Sequence, residues 1–485
     1  MRRRRRTFCL AVAFAALAAD AAHAAAAATG FDGAALSLLW GLPFAGVLLS
    51  LALWPLFAPA FWHHHYGKIT AVWSLAFLLP FAAIFGAGEA LHQFAHALFA
   101  EYLPFVILLF ALYTIAGGIS LSGTLVGTPA LNTGLLALGT SLASIMGTTG
   151  ASMLLIRPLL RANESRQRKA HLVVFFIVLV GNVGGALSPL GDPPLFIGFL
   201  KGVDFFWTTR VLAMPTLLLS VVLLAAFFAV DVVMSRRERP MPAVARQNTA
   251  REPLVADRKR EPLAVGGAFN FLLVAGVVGQ VLLSGIWKPG ISFEVAGTPL
   301  ELQNVVRDVA LLALAGLSIW LTPRAVREAN AFNWAPIAEV AKLFAGIFLT
   351  VIPVIAMLQA GRHGALAAVV ALVTDAEGAP RWVMYFWTTG FLSAFLDNAP
   401  TYLVFFNLAG GDAATLMGPL APTLAMISAG AVYFGALTYV GNAPNFMVKA
   451  IAEERGVAMP SFFAYFAMAS VILLPLLALV VWTYR

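Results

Sequence analysis

Two aspartates in this chain stand where carboxylates are costly. Asp192 and Asp397 lie within long apolar runs, and an ionised side chain at the centre of a membrane-length helix costs roughly 2.5–3.5 kcal/mol on insertion scales. Each is set among oxygen donors and helix breakers. Asp192 follows Ser188 and Gly191 and precedes Pro193 and Pro194, while Asp397 precedes Asn398 and Pro400. Thr148 and Thr149 form a third grouping of this kind, and Thr438, Gly441, Asn442 and Pro444 a fourth. Gly and Pro interrupt a helix and free backbone carbonyls and N–H groups. Hydroxyl, amide and carboxylate oxygens around such breaks suit a hard cation such as Na+. A carboxylate in that shell would hold either a proton or Na+, because burial favours its neutral form and a neighbouring cation its ionised form. This is the chemistry of cation/proton exchange. Asp397 is the first candidate for the exchanging group and Asp192 the second, with Asn398 and Thr148 completing a Na+ site. The competing structural role for Asp192 is an N-cap on the half-helix opened by Pro193 and Pro194.

The elements that must position these residues are membrane spans. The chain is 60% hydrophobic and 11% charged, with mean hydropathy +0.86, too apolar for a soluble protein with a polar shell. Apolar runs of spanning length fall at roughly 36–58, 69–88, 103–121, 172–200, 208–234, 264–286, 308–323, 343–360, 420–452 and 460–483. Two further stretches, 126–156 and 383–408, are cut by Gly, Thr, Asn and Pro and read as re-entrant helical hairpins. The fold class is therefore an all-α polytopic membrane protein with about ten transmembrane helices, two hairpins and two broken helices, 172–200 and 420–452.

The net charge of +8 comes from short loops, a positive-inside pattern and not a nucleic-acid surface. Arg157, Arg161, Arg166, Arg168 and Lys169 lie in one loop, and residues 235–262, rich in Arg and Pro, read as a cytoplasmic linker between a first repeat (36–234) and a second (264–483). If neither hairpin crosses, every basic loop falls inside. Each half then has an odd number of crossings, so the second is inverted. Arg2–Arg6, an apolar stretch and Ala22-His23-Ala24 read as a signal peptide over residues 1–24, giving a bacterial inner-membrane protein with a periplasmic mature N-terminus. The only cysteine, Cys9, falls in that segment. No phosphate-binding loop, catalytic triad order or metal-ligand spacing stands out, so neither an enzyme nor a cofactor is expected.

The halves carry a repeat independent of hydropathy. GALSPLGDPPLF at 185–196 matches GALTYVGNAPNF at 435–446, an offset of 250. The hairpins align at 249, from Ser144 to Ser393, setting Thr148-Thr149 against Asp397-Asn398. In inverted-repeat transporters such breaks meet near the membrane midplane and coordinate ions.

The runs GTTGASMLLIRPLLRAN (147–163), GGALSPLGDPPLFIGFL (184–200) and SAFLDNAPTYLVFFNLAGG (393–411) resemble sodium/proton antiporter-type proteins of the ion-transporter superfamily, which also holds arsenite permeases and citrate or dicarboxylate carriers. The resemblance covers nearly the whole mature chain. It implies an elevator-type carrier, often a homodimer, in which hairpin tips and broken spans move against a scaffold. Its partners would be Na+ or Li+, H+ and the lipid bilayer, with no nucleic acid. The dicarboxylate carriers bear Ser-Asn-Thr at both tips, whereas this chain has Thr148-Thr149-Gly150 and Asp397-Asn398-Ala399. That departure favours cation exchange over symport of a di- or tricarboxylate or oxyanion.

Overall fold

The computed structural model describes residues 31–237 and 262–484. The stretch read as a signal peptide and nearly all of that read as the linker lie outside the described residues. In chain order the main helices are α1 (Leu42–Phe57), α2 (Pro59–Phe85), α3 (Ala87–His96), α4 (Leu103–Ala116), α5 (Pro129–Met146), α6 (Thr148–Ala162), α7 (Ala170–Leu179), α8 (Pro193–Leu200) and α9 (Trp207–Arg237). The second half gives α10 (Phe269–Ile286), α11 (Leu302–Leu321), α12 (Ala335–Thr350), α13 (Ile352–Gln359), α14 (Trp382–Leu396), α15 (Asn398–Leu408), α16 (Ala421–Phe434), α17 (Ala443–Glu454) and α18 (Phe462–Thr483). Among the described residues nine helices are long and apolar enough to cross a membrane, or ten with the pair α12–α13, which bends by 40°. The chain is a multi-pass helical membrane protein.

Several boundaries differ from the hydropathy reading. The second span begins at Pro59 rather than residue 69, so His63, His64 and His65 lie on helix α2, where His64 and His65 bond to the carbonyls of Ala60 and Phe61. The third span begins at Ala87: a π-helical turn over Ala97–Tyr102 joins α3 to α4. Glu101 is thereby buried and paired with Lys201 at the end of α8. Helix α9 runs to Arg237, three residues into the stretch read as linker.

Helix α5 passes the length test for a span, yet the chain doubles back. The Gly127 N–H, just before α5, donates to the Ala162 carbonyl at the end of α6 at 2.8 Å. Asn132 and Asn163 exchange amide hydrogen bonds at 3.1 and 2.8 Å. Both ends of the first hairpin therefore lie on one side. The second hairpin closes likewise, with Tyr385 near its start and Phe405 near its end in ring contact at 6.1 Å.

Helix α9 shows how the hairpins relate. Near its end Asp231 accepts from Asn132 at the base of the first hairpin. Just before its start Asp204 N–H donates to Met417 Sδ, beyond the base of the second, at 3.2 Å. The helix has 31 residues, about 46 Å at 1.5 Å per residue, longer than a bilayer core. The two hairpins thus enter from opposite ends of a membrane-spanning helix, as inverted repeats require.

Candidate functional site

The site is built from four breaks. In the first hairpin Gly147 turns the chain with φ +81° and ψ 148°, and α6 starts at Thr148. In the second, Asp397 does so with φ +89° and ψ 140°, and α15 starts at Asn398. This backbone region is essentially reserved for glycine, and another residue there stores of order 1–3 kcal/mol of strain. The Asp397 carboxylate accepts from Ala399 N–H at 3.1 Å and caps α15. The turn therefore aligns Gly147 with Asp397 and Thr148 with Asn398. That places the hairpins at an offset of 250, like the broken spans, and corrects the 249 read from side-chain similarity by one residue. Backbone geometry, not side-chain type, sets the register.

The broken spans repeat one construction. Between α7 and α8 the Ser188 hydroxyl donates to the Ser144 carbonyl at the end of α5 and accepts from Leu190 N–H at 3.2 Å. Between α16 and α17 the Thr438 hydroxyl donates to the Ala394 carbonyl and accepts from Gly441 N–H at 3.0 Å. Both donors and both carbonyls are 250 residues apart. Ser188 and Thr438 thus tie each break to the hairpin beside it. The loops are so tight that a Cβ on Gly191 would lie 2.1 Å from the Gly185 carbonyl oxygen, and one on Gly441 2.6 Å from that of Gly435. Pro193, Pro194, Pro400 and Pro444 fall in the first turns of their half-helices, where a missing N–H is tolerated.

All four breaks converge on Asp192, which is 1% exposed. One of its oxygens accepts from Asn442 Nδ2 at 2.8 Å and from Thr148 Oγ1 at 3.3 Å, and the other from Asn398 Nδ2 at 2.6 Å. Its side chain makes no capping bond to α8, so the N-cap role considered for it is not the one it plays; Asp397 is the capping aspartate. Asp397 is 9% exposed. Thr149 is half-buried one residue past the tip. The partners of Asp192 are all neutral. Compensation comes from the helices, since Thr148 and Asn398 are the first residues of α6 and α15, and Asp192 and Asn442 immediately precede α8 and α17. Four helix N-termini, each worth about half a positive charge, meet at one carboxylate.

Asn398 Oδ1 is buried without a hydrogen-bond partner. An acceptor left unmade in a buried site is costly, and a cation would satisfy it. The donor set near it is carboxylate, amide and hydroxyl oxygen. Among the described residues no group of three or more His, Cys, Asp or Glu could hold a metal ion.

Residues 33–484 match the family described as putative citrate transport. The chain belongs to this family. The match takes in both hairpins and both broken spans and makes the protein a secondary transporter. No curated protein matches the sequence.

Within this transporter, sequence reasoning missed the asparagines behind the hub. Asn182 donates to Asn445 Oδ1 at 2.8 Å, and Asn445 in turn donates to the carbonyls of Gly435 and Thr438 at 2.7 and 2.8 Å. They stitch the first broken span to the second. Asn182 was legible as the lone amide at the end of the apolar run 172–183. Asn445 occupies a position where the repeat does not match, so comparing the halves passes over it. Asp231 was also missed, although it is the only acidic residue in the apolar run 208–234.

Proposed function

We propose that the protein exchanges Na+ or Li+ for H+, with Asp192 as the group that carries either ion. The observation supporting this most strongly is the convergence of all four breaks on one buried carboxylate with neutral partners, beside an unpartnered amide oxygen. In this reading a proton on Asp192 leaves as Na+ enters, and Asn398, Thr148 and Asp397 supply further oxygens. Burial disfavours the bare carboxylate of Asp192, so a bound proton or a bound cation is favoured there. The hairpins and broken spans move together, the basic loops facing the cytoplasm of a bacterial inner membrane.

Citrate-like symport is the second reading, favoured by the family's description and by four helix N-termini, which attract anions. The prolines weigh against it. Pro193 and Pro194 open α8, and Pro400 and Pro444 lie in the first turns of α15 and α17, removing N–H donors that an anion cradle would use.

Proteoliposomes containing a pH dye separate the two readings. A Na+ gradient should drive proton flux, and Asp192→Asn should abolish it. Saturable Na+-dependent uptake of labelled citrate without Na+-driven proton release would replace the exchange reading with symport.

A further inference from the structure

The two halves match closely at the breaks but not at the base of the hairpins. At the base of the first, Asp231 is fully buried, forms an ion pair with Arg166 Nη1 at 2.6 Å and hydrogen-bonds with His171 Nε2 at 2.8 Å, both side chains largely buried. Its other oxygen accepts from Asn132 Nδ2 at 2.8 Å. Asn132 and Asn163, both fully buried, are locked together by their reciprocal bonds, and Arg166 Nη1 also reaches Asn163 Oδ1 at 3.3 Å. One carboxylate on α9 thus holds the start of α5, the end of α6 and the start of α7. At the offset of 250, these five positions in the second half are Trp382, Ala413, Leu416, Ala421 and Val481. None can make such a bond.

We propose that Asp231 is a positioning residue: it pins the base of the first hairpin to α9 so that the tip holds Thr148 on Asp192, whereas the second hairpin, with Asp397, has no such anchor. A buried ion pair broken by removing one partner leaves an uncompensated charge, so the anchor is strong. The end of the second hairpin is tied by a neutral bond instead, from Gln359 Nε2 to Asn407 Oδ1 at 3.4 Å, a weaker hold than a buried charge pair. The anchoring stands on the contacts alone, and its consequence for ion binding rests on the exchange reading above.

The test is hydrogen exchange and Na+-dependent flux on the full-length protein in nanodiscs and proteoliposomes. Asp231→Asn should raise exchange over 129–162 at least about a hundredfold, leave 382–408 unchanged, and be restored in part by Asp231→Glu. His171→Ala, which keeps the Arg166–Asp231 pair and the fold, should show a smaller rise confined to the same hairpin. Half-saturating Na+ should increase about tenfold while maximal flux stays within about twofold, the signature of a weakened site with its chemistry intact. Equal loosening of both hairpins, or of neither, overturns the anchor. A loosened first hairpin with unaltered Na+ dependence overturns the positioning role. A wild-type protein that moves no Na+ refutes the exchange reading, and the hydrogen-exchange arm still decides the anchor.

Discussion

Replacing Asp397 separates what the residue does for the fold from what it does for the ion. Its backbone stands at φ +89°, ψ 140°, where the equivalent position in the first half is Gly147. Asp397→Ala removes the bond to Ala399 N–H, a capping loss of about 1 kcal/mol, and keeps the strained backbone. Asp397→Gly loses the same cap, releases of order 1–3 kcal/mol of strain, and gives back roughly 0.5–1 kcal/mol through the freer unfolded chain. The glycine variant should therefore be about 1 kcal/mol more stable than the alanine variant and close to the wild type. Thermal unfolding in detergent, followed by tryptophan fluorescence at one scan rate, reads that order. Both variants should lose most Na+-driven proton flux. Equal stability of Gly and Ala would refute the strain argument. Full flux in either would remove Asp397 from the ion path while leaving Asp192 untouched.

Three further outcomes follow from the same geometry. Gly191→Ala sets a Cβ 2.1 Å from a backbone oxygen and Gly441→Ala 2.6 Å; each should destabilise by about 1–3 kcal/mol, the first more than the second, as thermal shift will register. Saturating Na+ should stabilise the wild type by about 2.7 kcal/mol at a hundredfold excess over Kd, and Asp192→Asn should abolish that shift while Asp192→Glu keeps part of it. The Glu101–Lys201 pair joins the π-helical turn after α3 to the end of α8. Glu101→Gln and Lys201→Gln should each lower stability, and the double variant should fall short of the sum by about 0.5–1 kcal/mol.

Much of this architecture was legible because its signals are local. Helix-length apolar runs, Gly and Pro inside them, and a twelve-residue motif written twice identify spans, breaks and repeat without any knowledge of contacts. The unread parts depend on which atoms meet across hundreds of residues. Asp192 and Asp397 look alike in sequence, as aspartates beside proline at a break. Only the fold shows that Asp397 bonds to its own helix while Asp192 bonds to three other elements. The one-residue error in hairpin register has the same origin. Ser144 and Ser393 match by type, but the hydrogen bonds pair Ser144 with Ala394 through their carbonyls, which carry no side-chain signature. The anchor at Asp231 was hidden by the search for likeness between halves, since it exists in only one.

Asp192 and Asn442 are equivalent positions in the two halves, and they hydrogen-bond to each other at 2.8 Å. A residue can touch its own repeat mate only beside the pseudo-two-fold axis that relates the halves. On the exchange reading, an ion held there would meet corresponding residues of both halves whichever way the protein opens. Neither face is the built-in exit, so transport is reversible and its direction is decided by the gradients. Across the axis a carboxylate faces an amide, so this pair carries a single titratable side chain.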